Sequence, residues 1–309
     1  MNPFLRKLRY PSVWKRLLVD RGGEPLHLNA LAAGVALFGS FRTKVAFDLV
    51  PRPHHAYGLL EAADRAQLLG IQRISALELG VASGTGLMNM AEIAGRVRAA
   101  TGVEIDVVGF DTGGGMPPPQ DWRDHPDLYQ EGDFPMNQSQ LCAALDRTGS
   151  RLVLGELSIE LARFLSNEAS RSPVGFISLD LDFYSSSAAA LACLARCNPS
   201  RLLRHVVVYV DDIEDKSHSS AAGELAAIAS FNRERRTEAA GHAYPFRFIE
   251  RPQALRRQRV FQRARWVDHI FTLHVHDHPM RSDLTRQHEK QVLENPYLEP
   301  LTGPDAKAR

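Results

Sequence analysis

Hydrophobic positions change rhythm repeatedly once the chain passes residue 57. Short apolar runs at 74–79, 105–110, 152–154, from 176, and at 206–210, 246–250 and 270–278 predict strands. Between them, apolar residues recur at helical spacing, as in Leu87, Met90, Ala91, Ala94 and Val97. This predicts helices over 57–69, beyond the glycines of 80–86, and over 158–166, 185–197 and 223–236. Ser158 is placed to cap one of these helices and Ser185, Ser186 and Ser187 to open the next. The run Phe176-Ile177-Ser178-Leu179 suits a strand buried on both faces, as in a parallel sheet. Strands and helices in regular succession predict an α/β fold, a doubly wound, mostly parallel seven-stranded sheet with ligands at the carboxyl ends of its strands.

The flanks read differently. Residues 1–55 form an N-terminal helical extension, with a helix over 28–41 weakened by Gly34, and Pro51 and Pro53 mark its boundary. The sheet domain then spans 56–280, and 281–309 is a polar tail. Inside the domain, 112–140 carries no periodicity but holds Trp122, Tyr129 and Phe134, which suits a cover packed over a site.

Two places carry chemistry. After Ile74, Ala76 and Leu77 the chain runs Glu78-Leu79-Gly80 and turns through Gly84 and Gly86 into a helix. Glycines admit unusual φ and let a ligand approach the backbone, and the helix start offers free N–H groups. Glu78 is placed to take up a ligand cation or to orient the loop. The spacing Glu-x-Gly-x-x-x-Gly-x-Gly is not the dinucleotide pattern Gly-x-Gly-x-x-Gly. Asp111, ending the second strand, suits the ribose hydroxyls of a nucleoside-like cofactor, or equally a turn before Thr112-Gly113. Further on, one strand ends in Asp180 and Asp182 and the next in Asp211-Asp212. Carboxylates gathered in one crevice repel unless a divalent cation joins them, although some could cap helices instead.

Composition removes several classes. In 309 residues, 37 basic side chains nearly balance 36 acidic ones, which leaves no global footprint for nucleic acid or acidic lipid. Three cysteines argue against a disulfide framework and for a reducing compartment, with Cys193 and Cys197 as buried small side chains. The apolar stretch 28–41 is too short for a bilayer, so a cytoplasmic protein without a membrane span is expected. The basic, aromatic start around Arg6, Lys7, Arg9 and Trp14 is expected to pack on its own domain or on a sister subunit, which would make a homo-oligomer. His274, His276 and His278 alternate and would share one face of an edge strand, more simply a polar surface than a metal site.

Taken together, ELGVASGTG (78–86), GFDTGGGMPPP (109–119), the turn Glu131-Gly132-Asp133-Phe134, LDLDFYSSS (179–187) and VDDI (210–213) resemble the class I S-adenosylmethionine-dependent methyltransferases, specifically the macrocin O-methyltransferase-like family. The resemblance implies a Rossmann-like fold in which Glu78, Gly80, Gly84 and Gly86 shape the S-adenosylmethionine pocket and Asp111 holds the ribose. It implies Mg²⁺ on Asp180, Asp211 and Asp212, with Asp182 as base, and a small-molecule hydroxyl such as a sugar or phenol as acceptor. The chain departs from the family at Ala82-Ser83, where an aromatic-basic pair is usual, and at Ile213, where tyrosine is usual. Rival readings are an NAD-dependent oxidoreductase, against which the glycine spacing argues, and a non-catalytic relative that binds a ligand or partner.

Overall fold

In the computed structural model the described residues are 11–15, 26–167, 172–213, 217–238, 247–256 and 264–280. The basic residues Arg6, Lys7, Arg9, Arg16 and Arg21, the segment Glu214-Asp215-Lys216 and the tail 281–309 lie outside them.

Seven strands form one sheet: β1 (Arg73–Leu79), β2 (Glu104–Asp111), β3 (Arg151–Leu154), β4 (Val174–Leu179), β5 (Leu202–Val210), β6 (Arg247–Glu250) and β7 (Ile270–Val275), in the order β3-β2-β1-β4-β5-β7-β6. β1 to β5 pair in parallel, and β7 runs antiparallel to both β5 and β6. Every residue of β4 is buried, as are six of the seven in β1, which is why these runs are continuously apolar rather than alternating. The expected doubly wound, mostly parallel seven-stranded sheet is therefore the observed one.

Helices cover both faces: α1 (Pro11–Lys15), α2 (Leu26–Phe38), α3 (Phe41–Ala46), α4 (Pro53–Leu68), α5 (Thr85–Thr101), α6 (Gln138–Leu145), α7 (Leu157–Ser166), α8 (Tyr184–Arg196), α9 (Gly223–Glu238) and α10 (Gln253–Arg256). α4 lies on β4 and β5 and against α5, while α8 packs between α7 and α9. On α4, a Cβ at Gly58 would stand 2.2 Å from the ring of fully buried Phe176, so the absent side chain brings helix and sheet together. Emptying that site by Phe176→Ala costs about 3–5 kcal/mol.

Several sequence expectations are corrected. Pro53 does not separate the extension from the domain. It is the first residue of α4, where a missing N–H costs nothing, and so the division at 55 falls inside that helix. The helix expected over 28–41 is present over Leu26–Phe38 and stops at Gly39-Ser40, where Ser40 Oγ accepts from Thr43 N at 3.1 Å and a second, short helix begins. Gly34 sits inside α2 without ending it. Val13, Ala32, Ala36 and Leu49 form a small separate core, and Trp266 Nε1 donates to Asp48 Oδ1 at 3.1 Å, tying this region to the approach to β7.

The cap of α7 is Glu156, not Ser158: its carboxylate accepts from Ser158 N and Ile159 N. No serine caps α8 either. The backbone N–H and hydroxyl of Ser185 both go to Asp124, 61 residues away. β7 ends at Val275, so His276 and His278 lie beyond the strand and the three histidines do not share a strand face. His274 Nε2 lies 3.1 Å from Glu250 Oε1, and the ring stacks on His276. His278 is buried and accepts from Met280 N.

The aperiodic stretch is shorter than expected, because α6 begins at Gln138. It folds back on itself through Met116 N→Asp133 O and Gly132 N→Met116 O. A 3-10 turn (Trp122–Asp124) carries the buried Asp124, which accepts from Gln120 N as well as Ser185. The cover is thus fastened to the start of α8. No helix among the described residues is long and apolar enough to cross a membrane.

Candidate active site

The glycine turn follows β1 directly. Gly80 has φ +87°, and a Cβ there would stand 1.7 Å from the Asp180 carbonyl oxygen, so only glycine lets β1 pass the end of β4 this closely. Gly84 caps α5 in a left-handed conformation, and its Cβ would meet the Leu141 side chain on α6 rather than open space. A Cβ at Gly86 would stand 1.8 Å from Glu78 Oε1. Glu78 therefore lies buried beneath the turn, at the start of α5, in the place the missing Gly86 side chain leaves. Burial and the neighbouring Asp180 push its carboxyl well above the usual range, and its Oε2 has no hydrogen-bond partner. Of these residues, Gly80 borders the cleft described below, together with Val81 and Ala82, whereas Gly84, Gly86 and Glu78 support the turn from behind.

Asp111 does more than end β2. Its Oδ2 accepts from Val81 N at 2.8 Å and Ala82 N at 3.0 Å, and its Oδ1 accepts from Gly113 N at 2.6 Å. A carboxylate offers about four acceptor positions, so three are engaged in holding the glycine turn and the start of the cover. One position remains for a further donor; a bidentate grip on two hydroxyls would displace a backbone N–H.

The acids at the ends of β4 and β5 come together. Asp180, Asp211 and Asp212 each offer an oxygen, and these lie within 4.8 Å of one another. The strands extend to position them: Asp180 N donates to Leu79 O and Asp211 N to Leu179 O. Asp180 and Asp212 both keep an edge on the cleft, yet the surrounding protein and the adjacent acids push their carboxyls up, Asp180 through burial and Asp211, Asp212 through burial and a hydrogen bond with Asp182. Arg52, the N-cap of α4, supplies an opposing positive field to Asp180 and Glu78.

Asp182 has φ +57°, a conformation costly for a non-glycine residue. Leu181 N, the link between Asp180 and Asp182, donates to Glu224 Oε1 at 2.9 Å. Glu224 is buried at the start of α9 and holds that turn; burial raises its carboxyl strongly. Tyr129 of the cover hydrogen-bonds Asp182, and its hydroxyl lies 2.9 Å from His218 Nε2. Behind Asp211, Tyr209 donates to Oδ1 at 2.5 Å, and burial keeps this phenol protonated.

Gly80, Asp111, Tyr129, Asp180, Asp182 and Asp212 border a cleft of about 450 Å³ at the carboxyl ends of the central strands, with Asp211 and Tyr209 behind its wall. The exposed Phe134, at φ +57°, also borders it. A larger hollow of about 1010 Å³ lies between α7 and α8. Its walls hold alanines, serines and two cysteines but no member of the acid cluster, so the smaller cleft is the one that gathers acids beside the glycine turn.

Glu156, Glu224, Tyr209 and His218 escaped the sequence reading. Tyr209 had one legible signal, since residues two apart on a strand share a face and Asp211 follows it by two. Glu156 acts locally, on Ser158 N and Ile159 N, whereas Glu224 and His218 act on partners far away in the chain.

The fold is a doubly wound, mostly parallel α/β sheet with a reversed β7 between β5 and β6, and it carries the glycine turn after β1 and the carboxylates after β4 and β5 at one edge. No protein-family model matches the chain, and no curated protein matches it. Among solved structures it is similar to the calicheamicin methyltransferase CalS11, at 20% identity over 71% of this chain and 83% of that one, with a TM-score of 0.44. It is similar also to the O-methyltransferase NovP, at 14% identity over 62% and 74%, TM-score 0.43. A third is the plantazolicin methyltransferase BpumL in complex with SAH, at 10% identity over 87% and 97%, TM-score 0.32.

Proposed function

We propose that the chain transfers a methyl group from S-adenosylmethionine to a hydroxyl oxygen of a small molecule, in the manner of the macrocin O-methyltransferase-like enzymes, with Mg²⁺ held by Asp180, Asp211 and Asp212. The observation that carries the reading is the convergence of three carboxylates from two strand ends beside the glycine turn. The donor set fits the ion: oxygen ligands alone, without Cys or His, suit a hard cation. So does the electrostatics, since burial and mutual repulsion raise Asp180 and Asp212, and a divalent charge relieves both effects.

The cofactor would lie along Gly80, Val81 and Ala82, with Asp111 offering its remaining acceptor position to the ribose. Bound there, S-adenosylmethionine supplies an electrophilic methyl group and Mg²⁺ lowers the pKa of an acceptor hydroxyl. The chain's own residues do the rest. Asp182 accepts the hydroxyl proton, from a turn that Glu224 holds in place. Tyr129 orients Asp182, and the cover, fastened through Asp124, keeps water from the reacting atoms.

Calorimetry with S-adenosylhomocysteine tests the cofactor, run in MgCl₂ and again in EDTA, with NADH as the competing ligand. Saturable heat with S-adenosylhomocysteine and none with NADH is expected. Heat with NADH alone would replace this reading by the oxidoreductase one.

A further inference from the structure

We infer that Tyr209 is the positioning residue of the acid cluster: its hydroxyl, held by a stack of imidazoles, fixes the Asp211 carboxylate for a divalent cation. The inference rests on the metal reading proposed above and adds a device that reading does not contain.

A carboxylate on a short side chain rotates broadly about its last torsion, so three aspartates brought together by strand ends still lack a defined geometry. Asp212 leans on Asp182, itself a carboxylate, whereas Asp211 is held by a neutral donor. Tyr209 Oη donates to its Oδ1 at 2.5 Å, and the Tyr209 ring is buried on β5. Two imidazoles lie nearly parallel to that ring, His54 at 4.1 Å and 12° and His269 at 5.7 Å and 23°. His55 meets it edge-on at 6.1 Å. His54 and His55 come from the first turn of α4, and His269 from the 3-10 turn before β7. His269 Nδ1 lies 2.7 Å from the carbonyl oxygen of Val210, the residue between Tyr209 and Asp211. Two elements distant in the chain thus hold one phenol still, and the phenol holds one ligand oxygen.

The choice of a phenol has a chemical reason. A lysine or arginine in its place would orient Asp211 equally well but would neutralise it and compete with the incoming cation. A neutral hydroxyl fixes the carboxylate and leaves its charge available. Hydrogen-bond partners of metal ligands tune affinity by about 10–100-fold.

The test uses the full chain and titrates MgCl₂ by calorimetry, with MnCl₂ and electron paramagnetic resonance as a second readout. Tyr209→Phe keeps the ring and its stack and removes only the hydroxyl. It is expected to weaken Mg²⁺ and Mn²⁺ binding about 10–100-fold, with the metal-free chain folded and its circular dichroism unchanged. His54→Ala should weaken binding in part and His54→Phe, which restores a flat partner, should recover it. Tyr209→Phe binding metal as tightly as the unmodified chain overturns the inference and leaves the metal site standing. Absence of Mg²⁺ and Mn²⁺ binding by the unmodified chain overturns the metal reading and this inference with it.

Discussion

Asp111 separates two roles that a sequence cannot tell apart, and its removal has a calculable cost. Asp111→Ala deletes three hydrogen bonds from backbone N–H groups, those of Val81, Ala82 and Gly113. A bond to a charged acceptor contributes about 1.5–3 kcal/mol, but the carboxylate is only half-buried and water replaces part of each, so about 1 kcal/mol per bond is the appropriate figure. The substitution should therefore cost about 3 kcal/mol of stability, or roughly 5–10 °C in melting temperature for a chain of this size. Asp111→Asn retains one carbonyl oxygen, which can keep the two bonds from Val81 and Ala82, and should cost roughly 1–2 kcal/mol. Urea unfolding without ligand measures this, and calorimetry with S-adenosylhomocysteine measures the accompanying loss of affinity. Both quantities should fall, and in the same order across the two variants. A residue that served only the ribose would lose affinity at unchanged stability. Wild-type urea stability in Asp111→Ala would refute the fastening role assigned here.

In EDTA, Asp180 and Asp212 hold protons more tightly folded than unfolded, so the native state binds more protons above the ordinary value of 3.8 and stability should fall as pH rises from there, flattening when Mg²⁺ is added; unfolding midpoints across a pH series check the sign. Asp212→Asn should raise metal-free stability by relieving repulsion with Asp182, while weakening Mg²⁺ binding at least about 10–100-fold; calorimetry in metal-free and MgCl₂ buffers tests both, and a metal affinity equal to wild type would remove Asp212 from the site. Gly80→Ala should prevent folding, because the Asp180 carbonyl cannot retreat without breaking the end of β4, and yield of soluble chain with its circular dichroism reports it. Asp124→Ala should free the cover from α8 and expose 112–137 to protease with little change at the sheet, as timed digestion with mass mapping would record.

Much of the architecture is local information. Phe176, Ile177 and Leu179 lie in a run without polar alternation, and such a run is stable only between two covered faces, so the strand and its central place in the sheet could be read directly. Gly80 and Gly84 announced a turn with left-handed backbone, and the acids after β4 and β5 announced a crowded crevice, because a doubly wound sheet brings adjacent strand ends together. Each of these follows from nearest neighbours in the chain and one rule of topology.

What remained for tertiary structure is everything whose partner is distant. Ser185 was a sound capping residue by local chemistry, yet Asp124 reached it from across the cover; at Ser158 the competitor was local, since Glu156 two residues earlier takes the cap. Pro53 read as a boundary before a helix expected from Tyr57, and the helix in fact begins at Pro53 itself, where its N–H is not needed. Gly86 read as space for a ligand and proved to be space for Glu78. The placement of Asp182 depends on Tyr129 and Glu224, and that of Asp211 on a phenol braced by His54 and His269. Sequence determines which residues can donate, accept or pack; only the folded chain decides which of them meet, since a hydrogen bond needs its partner within about 3 Å and that distance is set by the whole core.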